Sequence, residues 1–297
     1  MSQGRIVAGC LSPHPPHLVY AANPARNEPE ATGAGAWKPL TDGYAKLKAR
    51  LAELEYDVVV LHTPHWKTTI GHHFLGVPHF DGFSVDPIFP NLFRYKYELD
   101  VDVELAETIA AEATERGLVT KMMRNPDFRV DYGTLTSCEL ALPNPFGKPL
   151  CVISSGRPYF YYSDEVGDRE MLALGEATRV AIEKTGRKAL CIASCSLSHR
   201  HFTEEPDDPE DPRFEYIYNA SQQAWDERVL RLMAEGNCKQ LLAEMPDFIQ
   251  QSVSECKDGS LTWLLGALQV PDYPAIVHGY GSVIGTGNGI VEWRPRA

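Results

Sequence analysis

The chain has 297 residues, a formal net charge of −12 and a pI near 5.3, with 43% hydrophobic and 23% charged residues. With no basic patch to neutralise phosphates, a nucleic-acid partner is excluded, and the run KLKAR, from Lys46 to Arg50, reads as one solvated helix face. No apolar run approaches the roughly 18 to 20 residues of a membrane span and no leader pattern opens the chain, so a cytoplasmic protein is expected.

The first run, RIVAGCL, is short and apolar, as a buried strand should be. SPHPPHLVY follows, where Pro13, Pro15 and Pro16 give His14 and His17 a stiff turn with no helix to join. Leu40, Tyr44, Leu47, Leu51 and Leu54 recur at spacings of 4, 3, 4 and 3, one face of a helix laid on a sheet. DVVVLH, residues 57–62, is the second strand.

Residues 71–99 read as a long loop region rich in Pro, Phe and Gly, without a clear period, and long ordered loops often carry function. A helix is expected over residues 102–116, with Leu105 and Ile109 inward and Gly117 as its stop. PLCVISS is a third strand. Another helix, over about residues 163–184, is capped by Ser163 and closed by Gly186, and KALCIAS is a fourth strand. Residues 215–269 read as mostly helical, and two strand-like runs, AIVHGYG and GIVEWRP, close the chain. Strands alternating with helices imply an α/β fold, a central sheet flanked by helices. Without a repeat or linker, residues 1–297 are expected to form a single large domain.

Seven cysteines (Cys10, Cys138, Cys151, Cys191, Cys195, Cys238 and Cys256) form no C-x-x-C pair, so reduced thiols, several of them in the core, are expected. The ten histidines are more informative. His14 and His17 follow the first strand, His62 and His65 the second, and His199 and His201 a later one in SCSLSHRHF. Strand ends that meet at one sheet edge form the usual ligand crevice of α/β folds, so one pocket can hold all three clusters.

G-x-S-x-G, G-x-x-x-x-G-K-[ST] and H-E-x-x-H are all missing, which removes the signatures of serine hydrolysis, phosphate cradling and the common zinc proteases. GYGSVIGTGNG opens no helix, and its glycines read as turn geometry beside the pocket. Two imidazoles and a carboxylate on one face of a metal remain, the arrangement of non-haem Fe(II) oxygenases. Spacing alone neither picks the carboxylate among 40 acidic residues nor separates iron from zinc.

The succession CLSPHPPHL, VLHTPHW with GHHFLGVP, SLSHRHF, SECKDGSLTW and GYGSVIGTGN resembles, in order and over nearly the whole chain, the class III extradiol ring-cleavage dioxygenases. The resemblance is nearest to catalytic subunits that open 2-aminophenol. It implies Fe(II) held by His14, His65 and Glu255, with His199 as the acid/base residue. Each expected residue type is present, which implies a catalytic chain.

Glu255 sits near the end of a helical stretch, before an Asp258-Gly259 stop. His17 and His201 are expected beside the ligands or in the pocket, His62 in the core, and His72, His73 and Tyr132 near substrate. His79 and His278 are read as structural.

The implied reaction uses O2 to open a ring bearing ortho OH/NH2 or OH/OH groups, giving a muconic semialdehyde-type product. His199 takes the substrate proton and later returns it. The resemblance also implies a homo-oligomer or a hetero-oligomer with a related companion subunit. Two alternatives stand beside this reading: a zinc hydrolase on the same ligands, and a non-catalytic companion subunit.

Overall fold

The computed structural model describes residues 4–22, 35, 37–66, 68, 70–90, 93–155, 164–202 and 211–295. Ser163, the expected helix cap, lies outside them. Among the described residues eight strands form one mixed sheet. These are β1 (Arg5–Leu11), β2 (Val58–Thr63), β3 (His72–Leu75), β6 (Thr120–Met123), β7 (Leu150–Ser155), β8 (Lys188–Ala193), β9 (Ile276–Val283) and β10 (Thr286–Trp293). Their order is β6-β3-β7-β2-β8-β1-β10-β9. β7, β2, β8 and β1 run parallel, and β10 and β9 close one side antiparallel.

The four parallel strands are the continuous apolar runs of the sequence, because a parallel strand is buried on both faces. Val58 and Val60 join a core with Leu105 and Ile109 of α3 (Val103–Glu115), Leu174 of α5 (Asp164–Thr185) and Trp263 of α8 (Gly259–Ala267). Val59 and Leu61 face the other way, onto Leu40, Tyr44 and Leu47 of α2 (Lys38–Leu51) and Leu135 of α4 (Tyr132–Ala141). The result is helix, sheet, helix, as the alternating pattern required.

α6 (Ala220–Ala234) and α7 (Cys238–Ser252) complete the helical C-terminal third. Gly117 and Gly186, with φ of 82° and 73°, supply the left-handed residues that end α3 and α5.

Three expectations are corrected. Residues 71–99 are not one loop: they hold β3 and the hairpin of β4 (His79–Val85) with β5 (Arg94–Asp100). RYKYELD alternates strictly, burying Tyr95, Tyr97 and Leu99, a period-2 signal that the nearby prolines masked. His17 does join a helix, α1 (Pro16–Ala22), because Pro16 takes the first helical position, where a missing N–H costs nothing. Asp258-Gly259 opens α8 rather than stopping a helix.

Candidate metal centre

β8 lies between β2 and β1, all parallel, so the segments leaving their C-terminal ends meet at one sheet edge. His14 follows β1, His65 follows β2, and residues 194–199 follow β8. Glu255 is presented by a short turn between α7 and α8.

The three side chains converge. His14 Nε2 is 2.6 Å from His65 Nε2, while Glu255 Oε1 is 3.0 Å from His65 Nε2 and 3.1 Å from His14 Nε2. Donors about 2.1 Å from a common cation at right angles stand about 3 Å apart, so the spacing fits three ligands of one ion. Two imidazole nitrogens and a carboxylate oxygen suit iron or zinc. Among the described residues this is the only group of three or more His, Cys, Asp or Glu side chains that converges so.

Each donor is steered from behind. The Ser194 hydroxyl, 3.2 Å from the Gly133 carbonyl, donates there and accepts His14 Nδ1–H at 2.8 Å, leaving His14 Nε2 with its lone pair forward. Glu255 Oε2 accepts the Ser196 N–H at 2.6 Å and the Ser196 hydroxyl at 2.9 Å, which leaves Oε1 for the centre. His65 is held through Thr63, whose hydroxyl takes the His65 N–H at 3.3 Å and donates to Asp131 at 2.7 Å.

Burial disfavours a charged His14 ring, but the adjacent Glu255 carboxylate outweighs it and raises the imidazole pKa. Burial likewise opposes ionised Glu255, yet His14 and His199 hold it well below the usual carboxylate range.

His199 stands beside the three donors, its Nε2 3.9 Å from Glu255 Oε1. Burial pushes its pKa down to about 4, against the pull of Glu255. The preceding residue is clamped: Asp226 Oδ1 accepts the Ser198 N–H at 2.9 Å, and Oδ2 accepts the Ser198 and Tyr280 hydroxyls at 2.7 and 2.9 Å. A Cβ on Gly287 would sit 1.8 Å from Asp226 Oδ2, so only glycine lets β10 come this close.

Tyr132, at the start of α4, places its hydroxyl 3.2 Å from His65 Nε2. Burial first, and then the charge of Asp86, raise its pKa well above the ordinary phenol value. His17 and His201 line the same cavity of about 60 Å³, each with its ring against Phe89. A cleft of about 570 Å³ adjoins it and shares His65, Tyr132, His199 and Glu255.

The remaining histidines lie elsewhere. His62 is buried between Ser260 and Ser155, at 2.8 and 3.0 Å, and stacks on Trp263. His72 and His73, expected near substrate, are not among the residues lining either space. His72 is buried against Ser155, and His73, on the other face of β3, is half-buried with its ring edge on Trp66. His79 is exposed beside Asp100, and His278 is buried on Glu292 at 2.9 Å. All seven cysteines are free thiols, six of them buried.

Sequence reasoning missed Ser194, Ser196, Asp131, Asp226 and Asp86. The two serines lay inside the SCSLSH motif, so the signal for them was present. Asp131 and Asp226 are long-range partners that no local pattern marks.

Two imidazoles, a carboxylate and a flanking histidine at a parallel-sheet edge make a site that can hold a metal ion beside a further imidazole. The chain matches the family described as the catalytic LigB subunit of aromatic ring-opening dioxygenase over residues 8–288, and it belongs to that family. It is 48% identical over 293 residues to the 2-aminophenol 1,6-dioxygenase beta subunit of a Pseudomonas species, covering 99% of this chain and 95% of that one. The 3,4-dihydroxyphenylacetate 2,3-dioxygenase of Escherichia coli is 24% identical over 266 residues, 89% of this chain and 91% of that one. The Pseudomonas 2-aminophenol 1,6-dioxygenase alpha subunit is also 24% identical, over 258 residues, 87% and 91% of the two chains. An uncharacterised Escherichia coli K12 protein of known structure shares the fold, with a TM-score of 0.59, 12% identity and coverage of 96% and 99%. No helix among the described residues is long and apolar enough to cross a membrane.

Proposed function

We propose that the chain is a non-haem Fe(II) extradiol dioxygenase that uses O2 to open an ortho-aminophenol or catechol ring, with His14, His65 and Glu255 as the iron ligands. The observation carrying this reading is the meeting of those three donor atoms within 3.1 Å of one another beside His199. The relatives' names support the ring-opening reaction. The catalytic unit is one domain covering the whole chain.

Fe(II) bound there would supply a place where the ring and dioxygen meet and exchange electrons. The protein's own groups do the rest. His199 Nε2, facing Glu255 Oε1, takes the proton that the ring hydroxyl loses on binding and returns it when the O–O bond breaks. Tyr132 keeps its proton and offers its O–H as a donor into the same space. Ser196 keeps Glu255 turned inward, and the walls from Phe89 and Ile284 exclude water from the ring. Cleavage beside the hydroxyl-bearing carbon, outside the ortho pair, puts both oxygen atoms into a muconic semialdehyde-type product.

The alpha and beta subunit names among the relatives support assembly with a companion subunit. The test is anaerobic reconstitution with Fe(II), then oxygen-electrode assays over a panel of aminophenols and catechols with product spectra. Stoichiometric oxygen uptake with ring opening is expected. A protein that holds only zinc and consumes no oxygen with any such ring overturns the reading in favour of metal-assisted hydrolysis.

A further inference from the structure

After Val58, Val59, Val60 and Leu61, β2 places a histidine, His62, at a position only 1% exposed. Burial pushes its pKa down to about 3, so the ring is neutral and offers one donor and one acceptor. Both are used, on elements far apart in sequence. Nδ1 lies 2.8 Å from Oγ of Ser260, the second residue of α8, and Nε2 lies 3.0 Å from Oγ of Ser155, the last residue of β7. The Ser155 bond joins two strands that their own ladder already holds together. The Ser260 bond does something else: it crosses from the sheet to the helix whose preceding turn presents Glu255.

Ser260 stands five residues past Glu255, and His62 three residues before His65. Cys256, Lys257 and Asp258, between Glu255 and α8, are all left-handed, so the turn does not hold its own shape. Glu255 itself is tied to the loop after β8, by Ser196 and by its N–H on the Leu197 carbonyl at 3.2 Å. The body of α8 is tied to α5, through Trp263 Nε1 on the Thr178 hydroxyl at 3.0 Å and a backbone approach at Gly175 and Gly266 that leaves no room for a Cβ. His62 ties the first turn of α8 to the strand that leads to His65. Resting on the ligand set proposed above, we infer that His62 is a positioning residue for the metal centre: through Ser260 it braces the turn of Glu255 against β2, and so sets the spacing between Glu255 and His65. It touches neither metal nor substrate. Without the brace every donor is still present, but the carboxylate and the imidazole no longer hold the 3.0 Å approach that one ion requires, and metal affinity falls.

Three variants separate this role from a place in the core alone. His62→Phe keeps a ring against Trp263 and loses both bonds; Ser260→Ala loses only the bond to the helix, and Ser155→Ala only the bond within the sheet. Zn(II) affinity is measured by competition with a chromogenic chelator, at a temperature where melting curves show each protein folded. His62→Phe and Ser260→Ala are expected to bind Zn(II) about tenfold or more weakly than wild type, and Ser155→Ala within about twofold of it. A folded Ser260→Ala whose affinity stays within about twofold of wild type overturns the inference, and so does a Ser155→Ala that loses as much as Ser260→Ala. The two serine variants decide the matter even where His62→Phe does not fold. Glu255→Ala is titrated alongside. If it holds Zn(II) as tightly as wild type, the ligand set itself fails; if it loses the metal while Ser260→Ala keeps it, only the part played by His62 is overturned.

Discussion

Asp226 grips Ser198 with both carboxylate oxygens, one on the backbone N–H and one on the hydroxyl, and Ser198 immediately precedes His199. Helix α6 thus fixes the loop that carries the proposed acid/base group. Asp226→Ala strands the Ser198 N–H, the Ser198 hydroxyl and the Tyr280 hydroxyl, and is expected to cost about 3 kcal/mol in denaturant unfolding. Turnover should fall while bound metal is retained. A variant with wild-type kcat at a temperature where it is folded would show that His199 does not depend on this clamp.

Gly133 lies directly behind a ligand. A Cβ there would stand 2.9 Å from His65 Cδ2, 3.1 Å from Asp131 Oδ1 and 3.2 Å from Thr63 Oγ1. Gly133→Ala must therefore push the imidazole ring or its Thr63–Asp131 support. Metal affinity is expected to fall about tenfold or more, as it does when the outer partners of a ligand are disturbed. Competition with a chromogenic chelator measures it, and unchanged affinity would place His65 outside the ligand set.

Metal binding and proton transfer separate in two variants. Glu255→Ala removes one of three converging donors and is expected to leave the protein without iron after reconstitution and desalting. His199→Ala or His199→Phe should keep the metal and lose about 10²–10⁴-fold in kcat. Full iron occupancy in Glu255→Ala would require another carboxylate.

A pH effect arises far from the site. Glu292 on β10 is buried, and although burial opposes its charge, hydrogen bonds from His278, Arg50 and Arg294 hold its pKa down to about 2. A carboxyl with a depressed folded-state pKa stabilises the fold above its unfolded value and loses that contribution as pH falls toward the folded one. Between about pH 4.5 and pH 2 the loss amounts to about 3 kcal/mol. Glu292→Gln should be less stable at neutral pH and should show a flatter decline over that window in denaturant titrations. Parallel declines for wild type and variant would contradict the assignment.

The parallel strands and the amphipathic helices were legible because burial on both faces, or on one helical stripe, writes itself locally into the sequence. β1 begins and ends where RIVAGCL does, and Leu105 and Ile109 point inward as spaced. β6 and α4 were not legible. TKMM is short and half-exposed, and α4 is buried nearly all round with Thr134, Thr136 and Ser137 among its buried residues, so it has no apolar stripe to detect. For the candidate site, the histidines announced themselves through their place after strands. Glu255 could be chosen only through the family resemblance, since an acid near a helix end looks like any solvated one. The partners behind the ligands come from sequence-distant elements, and a linear pattern holds no record of them.

The turn that presents Glu255 has a consequence for folding order. Cys256, Lys257 and Asp258 have φ of 46°, 55° and 51°, three successive left-handed residues without a glycine among them. Each costs about 1–2 kcal/mol relative to ordinary backbone, so the turn cannot form ahead of the tertiary contacts that impose it. His14 and His65 are brought together by the alignment of β1, β2 and β8, but the carboxylate, 190 residues beyond His65, comes into place only with the tertiary contacts that impose its turn. On the proposed ligand set, iron uptake is then a readout of that turn. A chain in which the turn is not formed has two donors and no cage, so the population able to take up metal is the population in which those contacts are made.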